Sequence, residues 1–152
     1  MVLVAGEAFA ASTTREAVWS NFLTVVALIG RKKVRVPAAF VGGSFVTSVI
    51  DPSDVDAAIV IDSSRITNPT TLTAVRQIVH EPKSQGLQVD SFLILWSPDG
   101  SHGGQEASYL SERGKWDDFW QRSVAKKDRL PSQRSHAMPK RGYLEVVLDG
   151  YV

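Results

Sequence analysis

The chain has no cysteine. That excludes a disulfide framework, a thiolate metal site and a cysteine nucleophile together. It also lacks charge of one sign: 17 Lys and Arg stand against 16 Asp and Glu, a formal net charge of +1. There is therefore no global basic field to draw the protein to nucleic acid. No apolar run approaches the roughly 18 residues that a spanning helix needs, so no membrane partner is expected. Residues Met1 to Glu7 offer no basic stretch and meet an acid early, so a secretory signal is not expected and the cytoplasm is the expected compartment. Histidine is scarce, and His80, His102 and His136 are scattered. His80-Glu81 has no second histidine at zinc spacing. The loop Ser97-Pro98-Asp99-Gly100-Ser101-His102-Gly103-Gly104 has no Gly-Lys-Ser/Thr after it, so it is not a Walker A loop. It holds Asp99, Ser101 and His102, but hydrolase triads are assembled in space, and adjacency in one loop lends them no support. No internal repeat or low-complexity block is present.

What remains is an ordinary globular composition. The 152 residues are 43% hydrophobic and 22% charged, enough for one domain spanning 1–152 with a real core. Thr13 and Glu16 stand at capping-box spacing. Ala17, Val18, Phe22, Val25, Val26 and Ile29 then recur at helical intervals, which predicts a helix from about Thr14 to Ile29 with Gly30 at its stop. Arg31-Lys32-Lys33 reads as a solvated helix end. Strands are predicted from Ala38 to Val41, from Val55 to Ile61 and from Gln88 to Trp96, with a closing one from Tyr143 to Leu148. Ser63 to Thr71 reads as a polar loop, and Leu72, Val75, Ile78 and Val79 mark a second helix ending near His80. Gln105 to Ser123 reads as a third, with Trp116, Phe119 and Trp120 at i, i+3, i+4 spacing. Such a stripe usually packs in a core or interface; a base-stacking platform is the sharper alternative. The order of elements predicts an α/β fold, a mixed sheet flanked by helices.

The chemistry concentrates in Val41-Gly42-Gly43-Ser44-Phe45, followed by Asp54-Val55-Asp56 and an apolar strand. Asp54 and Asp56 lie two apart, so they share a strand face, about 6–7 Å apart. Bare carboxylates on one face repel each other. Alternating Asp residues also offer the hard oxygen ligands that Mg²⁺ prefers. Asp90 supplies a third acid on another strand. Gly42 and Gly43 suit a sharp turn, and Gly43 and Ser44 can present backbone N–H groups to phosphate. From Lys126 to Arg141 lie six cations without apolar period. Lys140 and Arg141, just before the closing strand, are the best placed of these to reach an anion.

This pattern, Gly-Gly-Ser, a spacer, Asp-apolar-Asp and a later strand Asp, resembles the DNA polymerase β-like nucleotidyltransferase superfamily, and most of all its small minimal members. The likeness runs from about Phe40 to Trp96. It implies transfer of a nucleoside monophosphate from an NTP such as ATP to an acceptor on a protein or an RNA. Asp54, Asp56 and Asp90 would be the catalytic, metal-holding acids for Mg²⁺ or Mn²⁺, in a two-metal displacement. Gly42, Gly43, Ser44, Lys140 and Arg141 would grip the nucleotide. The resemblance also implies a toxin–antitoxin or phage-defence context, with acceptor choice depending on a partner protein or a second copy of the chain. Two other readings stay open. One is a catalytically silent fold acting as a binding or antitoxin module. The other is a small nucleic-acid binder using residues 126–141 and the tryptophans.

Overall fold

In the computed structural model, the described residues are 7–64, 66–98, 105–122, 139 and 141–151. After a 3-10 turn at Glu7–Phe9 come helix α1 (Arg15–Gly30), strand β1 (Ala38–Gly42), strand β2 (Val55–Asp62) and helix α2 (Pro69–His80). Strand β3 (Val89–Trp96), helix α3 (Gln105–Gln121) and strand β4 (Leu144–Val147) follow. The four strands form one mixed sheet in the order β3-β2-β1-β4. Strand β1 is antiparallel to β2 and β4, and β2 is parallel to β3. A parallel pair needs a crossover, and α2 supplies it. The expected α/β fold is thus the observed one. No helix among the described residues is long and apolar enough to cross a membrane.

Alternation along the strands divides the core in two. Val55, Ala57, Ile59 and Ile61 of β2 join Ala39 and Val41 of β1 on one face, under Val18, Phe22, Val25 and Ile29 of α1 and Val75 and Val79 of α2. Ala58 and Val60 of β2, with Phe40 and Ile94, lie on the other, under Trp116 and Trp120 of α3. The aromatic stripe of α3 is therefore packing for two of its three rings; Phe119 stays 47% exposed.

Two local expectations need correction. The Thr13–Glu16 capping box does not form. Thr13 is occupied elsewhere: its N–H and hydroxyl both donate to Asp51 Oδ1, at 2.7 and 3.3 Å. Ser12 Oγ instead accepts from the N–H groups of Thr14 and Arg15, at 3.3 and 3.1 Å. Helix α2 also begins at Pro69, inside the expected loop. Proline has no N–H to lose at a first helical position, and Asn68 Oδ1 caps the turn by accepting from Thr70 N at 2.8 Å.

Arg15 ties α1 to the β1–β2 connection. Its guanidinium is buried and donates to the carbonyls of Phe45, Thr47, Val49 and Ile50. It also lies over the rings of Phe9 and Phe45, at 3.7 and 5.2 Å. A buried cation needs this much compensation, and here it fixes the loop that leads from the glycine turn to the first acids. Burial pulls the Arg15 pKa down from its ordinary value, with the Asp51 charge opposing.

Candidate functional site

The register decides where the acids go. Asp56 stands level with Asp90 on β3 and opposite Gly42 on β1. Laterally paired residues share a face, so Asp56 and Asp90 project together at the end of the sheet. That face is the one α3 covers, because Trp120 of α3 fills the space where a Gly42 side chain would be: a Cβ there would lie 2.6 Å from the indole. Asp54, just before β2, joins them. One side chain links it to Asp90: Lys83 Nζ donates to Asp54 Oδ2 at 3.2 Å and to Asp90 Oδ2 at 3.1 Å.

The glycine turn closes over the third acid. Gly43 has φ 66° and ψ −157°, a backbone conformation open essentially to glycine alone. A Cβ there would fall 1.7 Å from Asp56 Oδ2. The two glycines thus serve different ends: Gly42 admits Trp120, and Gly43 admits the carboxylate. Ser44 opens the 3-10 turn Ser44–Val46 that follows.

Electrostatics mark Asp56 out. Its pKa is pushed up to about 6, first by burial, then by the charges of Asp54 and Asp90, with Lys83 and Arg141 acting against the shift. The Lys83 pKa is raised as well, which in a lysine favours the charged form: its hydrogen bond to Asp90 raises it most, burial opposes, and the bond to Asp54 adds to the rise. Three carboxylates and a lysine leave the cluster short of positive charge.

Arg141, the one expected cation within the described residues, is brought to this end of the molecule. Its N–H donates to Gln121 O at 3.2 Å and its Nε to Trp120 O at 3.0 Å. Lys140 lies outside the described residues, as do most of residues 126–140, His102 and His136. His80 is exposed at the end of α2, apart from the cluster's recorded bonds. Lys83 was missed by sequence reasoning. A single loop cation in Pro82-Lys83-Ser84-Gln85 carries no pattern, and the only available signal was its position seven residues before Asp90.

A family model matches residues 4–147. The chain belongs to DUF6932, a family of unknown function. No curated protein and no solved structure matches it.

Whether the cluster suits a divalent cation can be judged from its donors. The three side chains carry hard oxygen atoms, the type that Mg²⁺ and Mn²⁺ take. A cationic group, the Lys83 ammonium, already sits between two of them. Among the described residues, no group of three such side chains stands ready to hold one ion as placed. The donor chemistry therefore fits a divalent cation on condition that Lys83 gives way.

Proposed function

We propose that this protein is a metal-dependent nucleotidyltransferase that moves a nucleoside monophosphate from an NTP to an acceptor on a protein or an RNA, in the cytoplasm. One observation carries the reading: strand register sets Asp56 level with Asp90 against the Gly43 turn, and Lys83 ties Asp54 to the same group. These residues match the motif that resembles the polymerase β-like nucleotidyltransferases, and the mixed sheet places them together.

The residues divide the work. Asp54, Asp56 and Asp90 would hold Mg²⁺ or Mn²⁺. Bound there, the metal would neutralise the triphosphate and lower the pKa of the attacking hydroxyl. Gly43, against Asp56, and Ser44, which opens the next turn, would offer backbone N–H groups to phosphate. Arg141 adds positive charge at the same end of the sheet. Asp56 loses its proton near neutral pH, so its charge is fully available once a cation is at hand. The protein's contribution is mostly positioning and charge neutralisation. The acceptor is selected by surfaces outside these residues, on a partner protein or a second copy of the chain, in keeping with a toxin–antitoxin or phage-defence role.

The test is calorimetric titration of each NTP, in Mg²⁺ and in EDTA, into the wild type and the Asp54→Ala/Asp56→Ala variant. Magnesium-dependent binding of one or more NTPs, lost in the variant, is expected. No binding by folded wild type sinks the reading.

A second reading has its own observation. Lys83 pairs two of the acids, as a catalytically silent module would arrange them. It requires that the double variant keep the protein's biological effect.

A further inference from the structure

Lys83 sits on a hydrogen-bonded turn and sends its side chain to two carboxylates. The 3-10 turn Pro82–Gln85 starts at buried Pro82 and ends at Gly86, which is left-handed at φ 76°. Leu87 N donates to Pro82 O at 3.1 Å, Gly86 N to Lys83 O at 3.1 Å, and Ser84 Oγ to Glu81 O at 2.7 Å. The side chain itself is 55% exposed, so solvent screens both of its ion pairs. Its ammonium donates to the two carboxylates at 3.2 and 3.1 Å. It is thus a solvent-reached cation on a flexible stem, bound to the carboxylates that a metal would take.

We propose that Lys83 is the resident counter-ion of the acid site: it competes with the divalent cation for Asp54 and Asp90, and when displaced it turns its ammonium to the triphosphate that arrives with the metal. This rests on the nucleotidyltransferase reading and adds a residue to it. Charge accounts for both halves. Without ligands, the ammonium relieves repulsion among three carboxylates. A divalent cation relieves it better and expels the lysine by like-charge repulsion. The freed ammonium then stands beside a polyanion, on a stem long enough to follow it. No proton transfer or bond breakage is involved.

The two halves predict opposite signs for one variant. Lys83→Met removes the competitor, so Mn²⁺ alone, followed by the loss of the free-ion EPR signal, binds roughly three- to tenfold tighter than to wild type, the range that two screened ion pairs support. Inorganic triphosphate, titrated calorimetrically at saturating Mg²⁺, binds the variant several-fold more weakly. Lys83→Arg keeps the charge and stays near wild type in both measurements. A purely structural lysine moves neither value. Unchanged or weaker Mn²⁺ binding overturns the competition, and unchanged or tighter triphosphate binding overturns the hand-over. If wild type binds Mg²⁺ and NTP through Asp54 and Asp56 while Lys83→Met matches it throughout, only this inference fails. If neither wild type nor variant binds Mn²⁺, the metal reading falls and takes the inference with it.

Discussion

The two faces of the sheet use the same strands to opposite ends. Along β2, the odd-numbered Val55, Ala57, Ile59 and Ile61 enter an aliphatic core closed by α1 and α2, each fully buried. The even-numbered side begins with Asp56 and meets aromatic rings and ions. On the aliphatic face, these β2 side chains ask only for burial, and the buried Ser91 hydroxyl beside them is satisfied by Val79 O. On the acid face, Asp56 sits where its charge is disfavoured, Gly43 is held in a glycine-only conformation, and two more carboxylates crowd in. Both faces bury a core, but the acid face also holds unfavourable arrangements that the rest of the core must offset. That division is what a binding site built on a rigid sheet demands.

The contrast is broken most severely from the aliphatic side. Ile59→Ala removes a fully buried side chain at the centre of β2. It is expected to lower stability by about 2–5 kcal/mol, and Tm by about 5–15 °C for a chain of this size. Where the variant remains folded, nucleotide affinity should be unchanged, because Ile59 faces away from the acids. Urea denaturation beside calorimetry separates the two effects. A variant of normal stability would mean that this face is not the supporting one.

Gly43→Ala acts on the acid face through geometry. The new methyl meets Asp56 Oδ2 on a backbone with φ 66°. A cost of about 1–3 kcal/mol is expected from strain of this kind, together with displacement of the carboxylate. The expected signature is a loss of Mg²⁺-dependent NTP binding larger than the loss of stability accounts for. Near-normal binding in a folded variant would show that Asp56 and the turn are independent.

Much of this was legible in the sequence, for definable reasons. The strands announced themselves because buried strands are continuous apolar runs, and α1 because Val18, Phe22, Val25 and Ile29 keep helical spacing. Asp56 could be placed because it leads straight into the apolar run of β2, whereas Asp54, expected on the same strand, lies just before it. Other features depend on contacts between segments, which periodicity does not encode. The register that sets Asp90 beside Asp56 is one, since a slip of one residue turns a side chain to the other face. The face that α3 covers is another, since an aromatic stripe fixes how a helix rotates but not where it docks. Lys83 and Arg15 act through side chains reaching across the chain, Lys83 to Asp54 and Asp90 and Arg15 to the carbonyls after Phe45. Ser12 replaced Thr13 at the helix start because Asp51, nearly forty residues away, claimed Thr13 first.

The smallest predicted effect has the most telling sign. Asp56 has a folded-state pKa of about 6, above its ordinary 3.8. The folded chain therefore holds this proton more tightly than the unfolded chain does. The stability tied to it is fully present below the unfolded value and is lost as pH rises through about 6. Two pKa units correspond to at most about 3 kcal/mol. Asp56→Asn cannot ionise, so the metal-free variant is expected to be more stable than wild type at pH 7.5, by about 1–2 kcal/mol. The difference between the two should shrink towards pH 4, since Asp54, Asp90, Lys83 and Arg141 surround both side chains alike. Urea denaturation in EDTA at several pH values measures it. Adding Mg²⁺ should then stabilise wild type at pH 7.5 and leave the variant unmoved, because the charge that weakens the empty protein is the one a cation binds. Equal stabilisation of both by Mg²⁺ would place the cation away from Asp56. A variant less stable than wild type at every pH would make Asp56 a structural carboxylate, and the two faces of the sheet would no longer differ in kind.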